Sequence, residues 1–266
     1  MSIIMKDKIA QLIISMGQQK FLFEELVKRD FKQKYKRTIL GIFWSVLSPL
    51  LMLCVMAFIF GHFFGSNTEH YIIYLFTGLV IFNYFTDATN EGMSSLMSNA
   101  GIFSKINVPK YLFLVSKNVS SLINFCIILV IYFLFMVFDG INFSWEFIFL
   151  FYPIVCIIVI NLGIGLILSA LFVFFRDIQY LYRVFTQLLM YGSAIFYRIE
   201  TFPEEVQYIF YANPVFACID YCRNIVLYNN VPELWLHLLL LIYSLGFLFI
   251  GLYIYKKYNY KFLYYV

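Results

Sequence analysis

The side chains best placed for chemistry in this sequence are cations: Arg29, Lys32, Lys34, Lys36 and Arg37 fall within nine consecutive positions. Clustered lysines and arginines bind phosphate oxygens, lysine as a point charge and arginine as a planar fork. Constellations that make or break bonds are missing. His62, His70 and His237 lie near the ends of apolar runs and form no HExxH or comparable metal spacing. The chain has no GxSxG elbow and no carboxylate pair at helical spacing inside an apolar run, which excludes the commonest hydrolase designs. It also lacks any Gly-Lys dipeptide, so no phosphate-cradling loop of the nucleotide-hydrolysing kind is present. Cys218 and Cys222 stand one helical turn apart, a spacing that suits a bridge or a metal with a further ligand, or two small apolar residues in a membrane. The chemistry on offer is binding rather than catalysis.

The elements that must hold these cations are membrane elements. Hydrophobic residues make up 62% of the 266, charged residues 13% and aromatics 21%, against about 25% charged in an ordinary soluble domain. Between Phe23 and Pro49 a basic amphipathic segment runs into a charge-free one. In the basic part Phe23, Val27, Phe31 and Tyr35 recur every fourth residue, with Lys28, Lys32 and Lys36 beside them. That pattern predicts an interfacial helix with its aromatic face in lipid and its basic face toward anionic headgroups or phosphates.

Charge-free runs then predict six spans: Ile39 to Phe64, Tyr71 to Thr86, Asn118 to Phe138, Phe147 to Phe175, Ile178 to Tyr197 (interrupted by Arg183) and Leu234 to Tyr255. Between the fifth and sixth, VQYIFYANPVFACI is too short to cross and is split by Asn213 and Pro214, which predicts a re-entrant pair of half-helices. With the N-terminus cytoplasmic, all of the 19 lysines and arginines except Arg198 and Arg223 fall on the inner side, so both termini are expected in the cytoplasm. The fold expected is therefore an all-α integral membrane protein. Residues 1–38 form its cytoplasmic segment, 39–255 its membrane domain (with a cytoplasmic loop 93–110 and an external hairpin 201–230) and 256–266 its tail. No cleavable signal peptide is expected. The positive charge lies where a membrane protein puts it, which argues against a nucleic-acid partner. Ionisable residues at mid-membrane depth, the usual mark of an ion relay, are absent from most spans.

These motifs, in order, resemble one family. Arg29-Asp30-Phe31-Lys32, Tyr35-Lys36, Leu40-Gly41, Trp44 and Pro49 open the chain; Gly78-Leu79 with Phe82 and Phe85, Asn99 through Lys105 to Pro109, Phe175-Arg176-Asp177-Ile178, and Asn213-Pro214 with Arg223 follow. The series resembles the type-2 ABC permeases that export bacterial polysaccharides, including O-antigen, capsule and teichoic-acid exporters. One departure is that the family's Ser-Pro-Ile-x-Tyr reads Ser193-Ala194-Ile195-Phe196-Tyr197, which removes an expected kink at the outer end of the fifth span.

The resemblance implies a multi-pass permease of the bacterial inner or plasma membrane, paired with a second copy of itself and resting on two copies of a separate ATPase. The permease binds no cofactor, and ATP and Mg belong to the ATPase. It implies coupling to that subunit through the 93–110 loop, with Asn99, Phe103, Lys105 and Asn107, and through Arg176 and Asp177. It implies a lipid-linked polysaccharide as cargo, so that Arg29, Lys32, Lys34, Lys36 and Arg37 would receive a lipid pyrophosphate or serve as a plain anchor to anionic lipid. It also puts the first and fifth spans at the pore, making Trp44, Phe58, Tyr191, Phe196 and Tyr197 candidate wall residues on which sugar rings stack. The rival readings are a permease for a lipid or drug-like substrate and an integral-membrane enzyme acting on a lipid carrier.

Overall fold

The computed structural model describes residues 20–34, 36, 38–64, 69–105 and 108–265, and among these no strand occurs. Helix α1 covers residues 20–34. The long helices are α2 (Phe43–Phe64), α3 (Tyr71–Ser98), α5 (Tyr111–Phe138), α6 (Phe151–Phe174, led in by a 3-10 turn Trp145–Leu150) and α10 (Leu234–Tyr258). Shorter ones are α4 (Ala100–Phe103), α7 (Ile178–Tyr191), α8 (Glu204–Phe210), α9 (Pro214–Tyr228) and α11 (Phe262–Tyr265). Five helices among the described residues are long and apolar enough to cross a membrane. The helix at the predicted fifth span is α7, which has 14 residues and stops at Tyr191, so its length alone falls short.

Helix α3 forms the centre of the bundle. Its buried face runs from Tyr71 to Leu96 and packs on α5, α6 and α9, while α10 closes on the far side of α6. Helices approach most closely where they carry glycine: a Cβ on Gly163 of α6 would lie 2.5 Å from the Phe247 carbonyl carbon of α10, and one on Gly251 would lie 2.6 Å from Gly163 O. Small residues do this in membranes because lipid provides no hydrophobic drive and packing must supply the attraction. In contrast, Gly61 has only the Tyr71 ring within 4 Å of such a Cβ, and Gly65, the other half of its GxxxG pattern, lies outside the described residues.

One apolar cluster gathers Leu26 of α1, Leu96 at the end of α3, Phe103 of α4, Phe113 and Leu114 of α5, Val173 of α6, Tyr255 of α10 and Phe262 of α11. Both described ends of the chain therefore meet at the same end of the bundle. The contact edge of α1 differs from the expected one. Leu26 and Asp30 are its buried residues, whereas Phe23, Val27 and Phe31 are half-buried beside them. The aromatic stripe flanks the docking edge, and Tyr35 lies outside the described residues.

The cytoplasmic loop expected over 93–110 is shorter than that, because α3 continues unbroken through Asp87 and Glu91 to Ser98. Nothing in residues 87–98 breaks a helix; their polarity marks an end of the apolar run, not of the helix. The connector is 99–110, with the single turn α4 inside it.

At the opposite end α7 gives way to irregular chain at 192–198, and Ala194 takes a left-handed backbone at φ +45. The break thus survives without the family's proline. The hairpin that follows is split as expected: Pro214 opens α9, and Asn213 Oδ1 accepts from the Val215 backbone N–H at 3.0 Å. Cys218 and Cys222, both free, are buried on α9, where they pack rather than bridge.

Candidate functional site

The predicted phosphate-binding cations separate into two groups. Arg29 is engaged: its Nη2 donates to Asp30 Oδ1 at 2.6 Å and to Asn99 Oδ1 at 2.7 Å. Asp30 also accepts from Ser116 Oγ at 3.1 Å, and Asn99 Nδ2 donates to Ser95 O at 2.8 Å. This network fastens α1 to the junction of α3 and α4 and to the start of α5, and the 5% exposure of Asp30 makes it the buried member. Lys34 reaches across to Asp87, with 2.6 and 2.8 Å contacts to both carboxylate oxygens. Lys32 and Lys36 are exposed. Arg37 lies outside the described residues.

The predicted coupling residues also divide. Phe103 is buried, its ring 6.0 Å from that of Phe113 and its centroid 5.6 Å from Lys110 Nζ. Lys110 further donates to Asn259 O at 2.5 Å, tying the connector to the end of α10, and partial burial draws its pKa below the ordinary lysine value. Asn99 is buried and structural. By contrast Gly101, Ser104 and Lys105 are exposed, as are Arg176 and Asp177 between α6 and α7. Asn107 lies outside the described residues. Leu96, expected to offer an apolar contact, is fully buried, while Met97 and Ile102 remain half-buried.

Among the candidate wall positions, Trp44 and Phe58 on α2 and Tyr191 at the end of α7 are exposed, and Tyr197 is half-buried. Phe196 is not on a surface of this chain. It is 2% exposed and its ring stacks on Phe60 at 4.7 Å, so it packs the end of α2 against the irregular chain.

That irregular chain is held by a residue whose role sequence reasoning missed. Arg223, 3% exposed on α9, donates Nη1 to Ala194 O at 2.9 Å and Nη2 to Ile195 O at 3.1 Å. Tyr71 Oη donates to Phe196 O at 2.9 Å and Tyr74 Oη to Tyr197 O at 2.6 Å. Four consecutive carbonyls outside any helix are therefore satisfied by three side chains, where hydrocarbon would leave each unpaired at several kcal/mol. A Cβ on Gly78 would lie 3.0 Å from Arg223 Nη2, so glycine there keeps room for the guanidinium. The signal was available: Arg223 is the lone cation in the apolar helix PVFACIDYCRNIVLY.

Between α2, α3 and α5 lies a cavity of about 800 Å³ whose walls include Lys34, Trp44, Ser48, Asn83, Asp87 and Asn90. Because α3 continues past Thr86, Asp87 and Glu91 share one face, each neutralised by a lysine: Lys34 for Asp87, and Lys117 for Glu91 at 2.7 Å. A carboxylate pair at helical spacing thus stands just beyond the apolar run, each member ion-paired.

An all-helical bundle with five helices fit to cross a bilayer, its described ends at one end of the bundle and irregular backbone bonded at the other, is a multi-pass membrane protein. The chain belongs to the ABC-2 type transporter family, whose model matches residues 22–227. It is 30% identical to an O-antigen export system permease protein, RfbA, of Klebsiella pneumoniae over 251 residues, covering 91% of this chain and 95% of that one. It is 23% identical to the RfbA of Myxococcus xanthus (84% and 86% covered). It is also 23% identical to the polysialic acid transport protein KpsM of Escherichia coli (90% and 93% covered).

Proposed function

We propose that this chain is the permease subunit of an ATP-driven exporter that moves lipid-linked polysaccharide of the O-antigen, capsular or teichoic-acid type outward across the bacterial inner or plasma membrane. The observation that carries this reading is similarity along nine-tenths of the chain to permeases named for O-antigen export. ATP hydrolysis then falls to a separate ATPase, of which two copies serve two permeases.

In this reading α7 and the chain 192–198 together make the fifth of six crossings: 14 helical residues rise about 21 Å, and the carbonyl-capped segment completes the distance. Both termini are cytoplasmic and α8–α9 is the external re-entrant hairpin. The exposed residues Lys105, Arg176 and Asp177 touch the ATPase, as does Asn107, while Asn99 and Phe103 shape the connector that presents them. Trp44, Phe58, Tyr191 and Tyr197 line a passage closed by a second copy over the exposed faces of α2 and α7, with Phe196 supporting the wall from behind. Lys32, Lys36 and Arg37 meet the carrier pyrophosphate, Lys34 stays paired with Asp87, and Arg29 positions the helix that carries them.

Deleting the gene in its host and staining the surface for polymer tests this. Loss of surface polymer, with lipid-linked polymer accumulating inside and restoration by the intact gene, is expected; unchanged surface polymer would contradict it.

A further inference from the structure

The cavity between α2, α3 and α5 is built from a single chain, is partly open and mixes polar with apolar walls. Its size falls within the range of small-ligand sites, roughly 300–1,000 Å³. Lys34 of α1, bonded to Asp87, is part of its wall. Amide and hydroxyl side chains, Ser48, Asn83, Asn90 and Ser121, line it from all three helices, and Trp44 offers a ring at the wall that is 43% exposed. Ser121 is 2% exposed, and its hydroxyl finds no partner among the described residues. That oxygen is closed off from the cavity, so the groups a ligand can reach there are Ser48, Asn83 and the Trp44 ring.

Charge excludes the obvious alternatives. Both carboxylates at the cavity are ion-paired, so a cation gains little there, and Lys34 is held by Asp87, so an anion must first break that pair. Ser48, Asn83 and Asn90 set their donors and acceptors in a mostly apolar wall that includes the rings of Trp44, Tyr84 and Phe125, a mixture that suits an uncharged molecule with both hydroxyls and apolar faces, as a sugar ring has.

We propose that this cavity is a sugar-binding subsite within each permease chain, holding the neutral glycan next to the carrier headgroup. The proposal rests on the export reading above and adds to it that a sugar is gripped inside one chain, beside α1.

The test uses inverted membrane vesicles bearing the whole transporter, with its five native cysteines replaced by serine and with Ser48→Cys or Asn83→Cys added. A water-soluble maleimide labels each position in the presence of oligosaccharide released by mild acid from the host's own polymer, of inorganic phosphate, or of an isoprenyl phosphate. Because Asn83→Cys removes an amide of the proposed site, Ser48→Cys reads the same cavity from the facing helix. Oligosaccharide at about ten times its dissociation constant is expected to slow labelling about tenfold at both positions, with neither phosphate compound doing so. Protection by either phosphate compound instead would make this a headgroup pocket and overturn the proposal. Absence of labelling, or labelling that no compound slows, in vesicles from cells that still export polymer would overturn it while leaving the export reading intact. Normal surface polymer in cells lacking the chain would overturn both.

Discussion

The guanidinium of Arg223 lies 3.4 Å from the centroid of the Tyr74 ring and also donates to the Tyr74 carbonyl, at 3.3 Å from Nε and 3.1 Å from Nη2. One arginine thus stacks on α3, bonds α3's backbone and caps the chain that leaves α7. A buried cation held by carbonyls and a π face rather than by a carboxylate has no replacement among the other side chains, since only arginine presents five donors in a plane.

Replacing Arg223 by leucine should therefore destabilise the folded chain by about 3 kcal/mol or more, because the Ala194 and Ile195 carbonyls lose their charged donor. Arg223→Lys should restore only a minor part. Thermal unfolding of the purified protein in nanodiscs measures this; a leucine variant as stable as the parent would remove the capping role.

Arg29 and Asn99 should act as one unit. Their 2.7 Å bond joins α1 to the connector, so Arg29→Ala and Asn99→Ala should each lower stability. The double variant should lose less than the sum by about 1 kcal/mol, as expected for residues in one network. Additive losses in a double-mutant cycle would show that the two residues act separately.

Phe103 and Lys105 should part company. Phe103→Ala empties a buried aromatic site and should cost about 3 kcal/mol of stability, lowering the amount of protein in the membrane. Lys105→Ala, at an exposed position, should leave that amount unchanged while reducing permease-stimulated ATPase activity of the assembled complex. Equal effects of both changes on protein level would contradict the division.

The Lys34–Asp87 pair should be modest in stability, because about a third of each side chain is exposed and such pairs are worth about 1 kcal/mol or less. Its effect on export should be larger. Asp87→Asn, which frees Lys34 while keeping the shape, is expected to change the export rate more than the melting temperature. The reverse pattern in pulse-labelled cells and unfolding curves would make the pair purely structural.

Much of this architecture is legible in the sequence. Charge-free runs mark α2, α6 and α10 within about four residues and α5 from Asn118 on, its first two turns lying before Lys117, and Asn213-Pro214 marks the break between α8 and α9, because both signals are local. What escapes is what depends on a neighbour. Polar residues 87–98 end the apolar run but not the helix, since their partners Lys34 and Lys117 come from other helices. The end of α7 needs no proline, because Arg223 and two tyrosines bond the carbonyls that a helix would otherwise satisfy. Likewise, Phe196 reads as one aromatic among 32 phenylalanines, and only its stacking on Phe60 identifies it as packing rather than wall.

On the export reading, this chain conducts lipid-linked polysaccharide only when an ATPase drives it. The direct measurement is translocation of the host's lipid-linked polymer in proteoliposomes containing the purified chain, with and without its ATPase, scored by protection of the polymer from an added glycosidase. Protection that requires both subunits and hydrolysable ATP is the predicted result. Protection by the chain without ATPase or ATP, or none with all components present, would contradict it.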